Sequence, residues 1–204
     1  IEIKEYEKKF IESTSLGSQK FNSRFGWYIK LHSGDLYGIG EAAPIPHISK
    51  ESHEDVGYAL NGFKVALEGL NYSIDLQELL LLSEVHGFEI PSVQFAIDCG
   101  IYDLFSKSKK LTLAEYLNPN YLNSISINNI YSDRARIDKL NTQFLKIKIN
   151  ESNIFSIKEK LDKIIVDYPS KTKLRIDFNE SLDLIRTIRI CKELNPYNID
   201  YIEQ

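Results

Sequence analysis

Two lysines alternate with aliphatic residues in the segment Leu145–Ile149, a pattern whose residue types could carry chemistry. Because successive side chains of a β-strand point to opposite faces, Lys146 and Lys148 should share one face and the aliphatic residues the other. In an antiparallel sheet this alternation would indicate an ordinary half-solvated strand. In a barrel of parallel strands, helices cover the outer face and side chains fill the inner one, so lysines near the end of a strand favour a functional site.

Carboxylates follow on the next two predicted strands. Arg175, Asp177 and Asn179 share one face of the first, and Glu203 lies at the C-terminal end of the second. Carboxylate oxygens are the ligands that Mg²⁺ prefers, whereas a zinc site would normally include His or Cys. The alternative is structural, with Asp177 in a salt bridge to Arg175 or a lysine and Glu203 an ordinary surface carboxylate. Together with the lysine pair, the carboxylates favour a cation site.

These residues belong to a region where strand-like and helix-like segments alternate from about Ser124 onward. Such alternation predicts parallel strands joined by right-handed crossovers. Lys148, Asp177 and Glu203 are spaced by about one βα unit each, and fewer than half of the eight units of a (β/α) barrel are present. The predicted strands are 124–130, 144–150, 174–179 and 199–204, and the predicted helices are 154–168 and 182–194.

The part of the sequence before this region has a different pattern. Strand-like segments at 1–10, 26–31 and 35–41 predict an antiparallel meander, with a turn at His32–Asp35. Apolar residues then recur every three or four positions from Val56 to Leu67 and from Val93 to Leu104, which predicts amphipathic helices packed on the meander. Pro91 lies where the second helix should begin.

Composition excludes several classes of protein. The 204 residues are 43% hydrophobic and 26% charged, enough apolar material for a core, and the formal net charge of -4 comes with no basic stripe, so nucleic acid is not an expected partner. Apolar stretches such as Leu79–Leu82 are too short for a membrane span and no signal peptide precedes them, so we expect a cytoplasmic protein. Cys99 and Cys191 are interpreted as small buried apolar residues.

The motifs resemble those of a known family. Lys146-x-Lys148, Asp177-x-Asn179 and Glu203-Gln204 are similar to strand motifs of the muconate-cycloisomerase-like branch of the enolase superfamily. The segments Gly38–Pro44 (GIGEAAP) and Pro91–Leu104 resemble the family's glycine motif and the helix before its barrel. The resemblance implies an α/β protein with an α+β capping domain over residues 1–118 and the first strands of an incomplete TIM-type barrel over 119–204.

The resemblance also implies a mechanism. Lys148 would abstract a proton from the carbon beside the carboxylate of a small-molecule substrate, and Lys146 would assist it with its charge. Mg²⁺, or Mn²⁺, held by Asp177 and Glu203, would stabilise the resulting enediolate. The family carries a third acidic ligand and a second catalytic lysine on later strands, which this sequence does not contain. The oligomeric state is not predicted.

Within the branch, two activities compete. One is o-succinylbenzoate synthase, a hydro-lyase of menaquinone biosynthesis that dehydrates 2-succinyl-6-hydroxy-2,4-cyclohexadiene-1-carboxylate. The other is a dipeptide epimerase or N-acylamino acid racemase. Loose similarities at Ser23–Gly26, Pro44–Ser49 and Ile125–Tyr131 favour the synthase. A hypothesis of another class is a truncated, non-catalytic module, although an uncovered parallel sheet would be prone to aggregate.

Four further residues are candidates for binding substrate. The resemblance implies that loops at 14–23 and 43–50 close over the barrel mouth, which would bring His47 and Ser49 to the substrate. Their alternative is a solvated loop. Arg24 is either a surface cation at the entry of a strand or a partner for a substrate carboxylate. Asn179, which shares a face with Asp177, is the fourth.

Overall fold

Antiparallel strands open the chain: β1 (Glu2–Leu16), β2 (Gln19–Ser33) and β3 (Leu36–Ala42) pair in that order. The computed structural model describes residues 1–16, 19–68, 75–131, 141–150 and 152–203. A tight turn at Gly34 and Asp35 joins β2 to β3, and Gly34 has the positive φ of 58° that such turns require of their first residue. The predicted meander is therefore present; β1 and β2 continue beyond their predicted bounds, and β3 is shifted by one residue.

The segment 14–23, predicted as a loop, instead continues the hairpin arm. Thr14, Ser15 and Leu16 pair with Phe21, Lys20 and Gln19, after a register shift between Lys9 and Thr14. Residues 17 and 18 lie outside the described residues. The prediction was wrong because the backbone of this segment pairs as an antiparallel ladder, and the ladder hydrogen bonds need no apolar alternation in the sequence.

Helices follow the meander: α1 (His53–Leu67), α2 (Leu76–Gly87), α3 (Pro91–Ser108) and the short α4 (Leu113–Leu117). Capping boxes start α1, through Ser52 and Asp55, and α4, through Thr112 and Glu115. α1 and α3 confirm the predicted periodicity, whereas α2 and α4 were not predicted. The apolar faces of α1 and α3 pack on β2 and β3 in a core that includes Ile29, Leu31, Ala42, Val56, Leu60, Phe63, Val93, Ala96, Ile97 and Ile101.

Two glycines of the Gly38–Pro44 motif allow β3 to lie directly against α3. A Cβ on Gly38 would overlap the Gly100 carbonyl oxygen, and a Cβ on Gly40 would overlap that of Ala96. Glu41, the acidic residue of the motif, accepts a hydrogen bond of 2.5 Å from the Tyr6 hydroxyl. In this structure, the motif therefore serves the packing of sheet on helix.

The second part of the chain is a parallel sheet with helices. Strands β4 (Asn129–Ile130), β5 (Phe144–Lys148), β6 (Lys173–Asp177) and β7 (Ile199–Glu203) pair in that order, all parallel. Helix α5 (Ile154–Ile165) connects β5 to β6, and α6 (Leu184–Glu193) connects β6 to β7. The chain divides into two compact units, Ile1–Tyr121 and Leu122–Gln204. The predicted fold class is confirmed, an α+β unit followed by a partial parallel sheet.

The predicted strand 124–130 is much shorter in the structure. Ile125 and Ile127 alternate as in a strand but are exposed, and pairing with β5 begins only at Asn129. Side chains make the preceding contacts instead: the Ser126 hydroxyl donates to Gln143 Oε1 at 3.2 Å. The sequence pattern could not reveal this, since alternation is the same in an extended segment without a ladder.

One face of the parallel sheet is buried under the helices. Leu145, Ile147, Ile149, Leu174, Ile176 and Phe178 lie in a core with Ile157, Leu161 and Ile164 of α5 and Ile190 of α6. Cys99 in α3 and Cys191 in α6 are free thiols and only partly buried, less enclosed than predicted. Among the described helices, none has both the length and the apolar character needed to span a bilayer.

Replacing Gly40 by alanine should lower the free energy of unfolding by about 1–3 kcal/mol, because the added methyl group meets the backbone of α3, which cannot yield as a side chain does. Chemical denaturation measures the change. Gly62→Ala in α1 is the matched control, since the nearest atom to its Cβ would be His86 Nδ1 at 3.7 Å. It should stabilise the helix by about 0.5–1 kcal/mol. Equal effects of the two substitutions would contradict this account of the motif.

Candidate active site

The face of the parallel sheet opposite the helices carries the residues that were predicted to form the site. In the register of the sheet, Lys146 is level with Arg175 and Tyr201, and Lys148 with Asp177 and Glu203. Paired residues of parallel strands point to the same side. The two lysines therefore project from the face opposite the core, together with the side chains that the next two strands place level with them.

Lys146 lies between the two carboxylates. Its Nζ atom is 2.8 Å from Asp177 Oδ2 and 2.6 Å from Glu203 Oε2. The Asp177 side chain is only 7% exposed and that of Lys146 18%, whereas Glu203 is 51% exposed. One ammonium group thus joins the ends of three strands. The salt bridge from Asp177 to a lysine, one of the sequence-based alternatives, is present, and Glu203 is not an isolated surface carboxylate.

The pKa values follow these contacts. Hydrogen bonds to Asp177 and then to Glu203 raise the pKa of Lys146 above its ordinary value. Burial acts to raise the pKa of Asp177, but hydrogen bonds from Lys146 and from the backbone N–H of Asn179, with the charges of Lys146 and Lys148, bring it below the ordinary value. Lys146 and Asp177 therefore stabilise each other as ions.

Asn179 completes the environment of Asp177. Its backbone N–H donates to Asp177 Oδ1 at 2.9 Å, and its side-chain amide donates to the Asp177 carbonyl oxygen at 3.4 Å. Asn179 and Glu180 both have positive φ, 48° and 57°, in the turn that leaves β6. Asparagine tolerates this conformation better than most residues. In this structure its amide group therefore faces the strand end rather than open solvent.

Arg175 is not the partner of Asp177. Its Nε donates to Asp200 Oδ2 at 3.0 Å, and Nη1 donates to Asn128 Oδ1 at 3.1 Å. The guanidinium carbon lies 4.1 Å from the ring centre of Phe144 and 5.0 Å from that of Tyr201. Neither Asp200 nor these rings was predicted to take part, because the sequence gives no sign of which residues meet across strands.

Asp177 and Glu203 are suited to supply two of the ligands of a cation. Both offer an oxygen to one ammonium group, so they already converge on a single positive charge. Within the described residues, no group of three or more His, Cys, Asp or Glu side chains is arranged to hold a metal. Asp177 and Glu203 would thus supply part of a Mg²⁺ coordination sphere, with water and substrate oxygens as the remaining ligands. Gln204, the last residue of the strand motif, lies outside the described residues.

The predicted substrate-binding residues of the first unit lie around the segment 43–50. Arg24 is partly buried, and its guanidinium group donates to the carbonyl oxygens of Ala43 and Pro44. Ser49 closes a turn, because its hydroxyl accepts from the Ile45 N–H at 2.8 Å and its own N–H donates to the Ile45 carbonyl at 2.8 Å. These contacts hold the loop together from within, so neither Arg24 nor Ser49 is simply solvated.

His47 sits at the tip of this loop, exposed and with a φ of 65°. A cavity of about 530 Å³ opens beside it, lined by Phe25 and by residues of the segment 44–53. A smaller cavity of about 240 Å³ lies beside Arg24. The first unit therefore offers concave surface next to the residues that were predicted to bind substrate.

The stability contributed by Asp177 should depend on pH. Because its pKa lies below the ordinary 3.8, ionised Asp177 stabilises the fold above about that pH, and the contribution is lost as the pH falls through the lowered pKa. Asp177→Asn should cost about 1–3 kcal/mol of unfolding free energy near neutral pH, and the difference from wild type should narrow in acid. Urea denaturation across pH measures it.

Lys146→Gln provides the reference for that measurement. Without the ammonium group, the pKa of Asp177 should return toward its ordinary value, so Asp177→Asn made in that background should show a weaker dependence on pH. An equal cost of Asp177→Asn in acid and at neutral pH would contradict the ion pair.

Comparison with known proteins agrees with this architecture. The family model described as MenC, N-terminal domain, matches residues 3–104. No curated protein sequence matches the chain. Among solved structures, a dipeptide epimerase from Enterococcus faecalis V583, solved with Mg and the dipeptide L-Leu-L-Tyr, is 23% identical with a TM-score of 0.82. The match covers 100% of this chain and 59% of the epimerase chain.

Two other structures are similar to a comparable extent. An N-succinyl Arg/Lys racemase from Bacillus cereus ATCC 14579 is 18% identical with a TM-score of 0.80, over 99% of this chain and 57% of its own. A member of the enolase superfamily from Roseovarius nubinhibens ISM is 17% identical with a TM-score of 0.72, over 99% and 57%. The chain thus spans less than two thirds of the length of these proteins, and at such identities the likeness shows the fold. Because the family model covers half of its residues, the chain belongs to the MenC N-terminal domain family.

Proposed function

We propose that the protein carrying this chain is a Mg²⁺-dependent lyase that dehydrates 2-succinyl-6-hydroxy-2,4-cyclohexadiene-1-carboxylate to o-succinylbenzoate in the cytoplasm. The observation that carries the proposal is the row of Lys148, Asp177 and Glu203 at the strand ends, with Lys146 joining the carboxylates. The MenC match in the first unit supports the choice of substrate. A base beside a pair of cation ligands suits removal of a proton next to a carboxylate.

Lys148 is the proposed base. Its neutral amine would take the proton from the carbon that bears the substrate carboxylate. The ammonium group so formed would give that proton to the neighbouring hydroxyl group, which would leave as water and complete the aromatic ring. Lys148 pairs with Asp177 in the sheet, so the strand register brings the proposed base next to a proposed cation ligand. Asp177 and Glu203 would hold Mg²⁺, which when bound would stabilise negative charge on the substrate carboxylate.

Lys146 has a different proposed role. Its ammonium group compensates both Asp177 and Glu203. With Mg²⁺ held by these carboxylates, the ammonium group would add positive potential near Lys148. We therefore assign Lys146 to electrostatic support of the base and not to proton transfer.

The first unit carries three of the four proposed substrate-binding residues. Arg24 remains a proposed partner for a carboxylate of the succinyl group, although in this structure it donates to backbone carbonyls of the loop. His47 and Ser49 border the neighbouring cavity and are proposed to shape it. Asn179 is proposed to position Asp177 and to offer its amide group to substrate.

A dipeptide epimerase or N-acylamino acid racemase is the second candidate. It is favoured by the solved structures that this fold resembles, of which one is a dipeptide epimerase and another an N-succinyl amino acid racemase. These reactions also begin with removal of a proton next to a carbonyl carbon, so the same lysine and cation ligands would serve. A non-catalytic module is the candidate of another class.

Lys148→Ala should reduce turnover by roughly 10²–10⁴-fold, the usual contribution of a general base, while leaving Mg²⁺ affinity and folding unchanged. Asp177→Ala and Glu203→Ala should instead weaken Mg²⁺ binding by more than about tenfold. Steady-state kinetics and titration calorimetry measure the two effects. Lys163→Ala is the matched control, because Lys163 is 74% exposed on α5 and pairs with Glu159 of the same helix. Near-normal turnover in Lys148→Ala would refute the assignment.

The choice of substrate is tested by two assays on one preparation. Formation of o-succinylbenzoate is followed by ultraviolet absorbance, and a library of dipeptides and N-acylamino acids is screened for exchange of the α-hydrogen with D₂O. We expect activity in the first assay. Activity in the second alone would transfer the proposal to epimerisation or racemisation, and inactivity of the metal-loaded protein in both would favour the non-catalytic module.

A further inference from the structure

Strand β7 contains an irregularity just before its C-terminal part. Leu174 pairs with Ile199, but the next residue of β6, Arg175, pairs with Tyr201, so Asp200 is an extra residue in β7. One extra residue in one strand of a pair is a β-bulge, and bulges often redirect the side chains that follow them.

The bulge decides which way the rest of β7 faces. Ile199 and Ile202 both pack against the apolar core under the helices, although three positions separate them. In an uninterrupted strand, residues 199 and 202 would point to opposite faces. The bulge reverses the alternation, and Tyr201 and Glu203 consequently lie level with Lys146 and Lys148 on the polar face.

Two cations hold the extra residue. Arg175 Nε lies 3.0 Å from Asp200 Oδ2, and Lys173 Nζ lies 3.2 Å from Asp200 Oδ1. The side chains of Arg175 and Asp200 are 18% and 19% exposed, so this pair is largely shielded from solvent. Arg175 is fixed in turn by Asn128 and by the rings of Phe144 and Tyr201.

Without the bulge, each regular register has a defect. If Leu174 remained paired with Ile199 and the strand were regular, Ile202 would lie opposite Asp177. Glu203 would then point toward the apolar core. If Asp177 kept Glu203, then Asp200 would take the place of Ile199 opposite Leu174 and enter that core as a charge, which is costly. Only the bulged register satisfies both ends of β7.

We propose that Asp200 is a positioning residue, which through Arg175 and Lys173 holds the bulge that turns Glu203 toward Asp177 and Lys146. Nothing in this role requires Asp200 to touch substrate. The register is a property of the chain by itself, and only its consequence for cation binding rests on the proposed function.

Two backbone hydrogen bonds report on the register. The Leu174 N–H donates to the Asn198 carbonyl at 2.9 Å before the bulge, and the Phe178 N–H donates to the Glu203 carbonyl at 2.9 Å after it. Both bonds exist together only in the bulged register: in the first regular register the Phe178 N–H would donate to the Ile202 carbonyl, and in the second the Leu174 N–H would donate to the Ile199 carbonyl. The Ile149 N–H, which donates to the Asp177 carbonyl at 2.9 Å, belongs to the pairing of β5 with β6 and serves as an internal reference.

The experiment is NMR on the full chain, with Asp200→Ala and Asp200→Asn: couplings across the hydrogen bonds identify the carbonyl that each N–H meets, and amide hydrogen exchange measures the protection of each N–H. Protection of Leu174, Phe178 or both should fall by roughly fivefold or more relative to Ile149, the scale expected for loss of a shielded ion pair. Glu193→Ala is the matched control: it removes the Lys158–Glu193 pair of 2.7 Å between α5 and α6 and should leave both ratios unchanged.

Mn²⁺ affinity, measured by calorimetry, is the second readout. It should weaken in both Asp200 variants by the factor by which the population of the bulged register falls, and stay unchanged in Glu193→Ala. Wild-type hydrogen-bond partners together with wild-type protection ratios in a folded Asp200 variant would overturn the proposal. If Asp200→Ala does not fold, Asp200→Asn, which keeps the size and an acceptor oxygen, decides alone. If the wild-type full-length protein that carries this chain binds no Mn²⁺, the proposed function fails, while the hydrogen-bond partners and exchange ratios still decide the role of Asp200.

Discussion

The polar face of the parallel sheet depends on one ammonium group. Lys146 compensates a carboxylate that is almost completely buried and a second that is half exposed, on two different strands. Without that charge, Asp177 would be an ionised group with little access to water, a condition that proteins avoid by protonating the group or by reorganising around it. The positions of Lys146, Asp177 and Glu203 are therefore one arrangement and not three independent choices.

The two faces of this sheet are stabilised by different forces. Toward the helices, aliphatic side chains and Phe178 exclude water over a continuous core, an attraction that has little directionality. On the other face, charged groups are connected in pairs and triads at hydrogen-bond distance, which requires specific geometry. The first unit shows a similar division, with an apolar core under β2 and β3 and a loop held by Arg24 and Ser49.

The sequence was most informative where a local pattern determines the outcome. The alternation of lysines with aliphatic residues predicted that Lys146 and Lys148 share one face. The recurrence of apolar residues every three or four positions predicted that α1 and α3 pack on the sheet. Helix α2 was missed because leucines occur on all its sides, and α4 because a single turn has no period. The bulge at Asp200 was missed for another reason: it depends on Arg175 and Lys173 from the neighbouring strand, and no local pattern shows which strands pair or in which register.

The network around Arg175 has a consequence for how this sheet can change during evolution. One guanidinium group contacts Asn128, Phe144, Asp200 and Tyr201, which come from the segment before β4 and from β5 and β7, the two strands that flank β6. Effects of substitutions within such a group are not additive, since each residue's contribution depends on which others are present. Substitution of one member alone then lowers the stability of the sheet, and compensating substitutions must occur together. In homologous sheets these residues should therefore be conserved together or replaced together. The aliphatic residues on the opposite face should be substituted independently of one another.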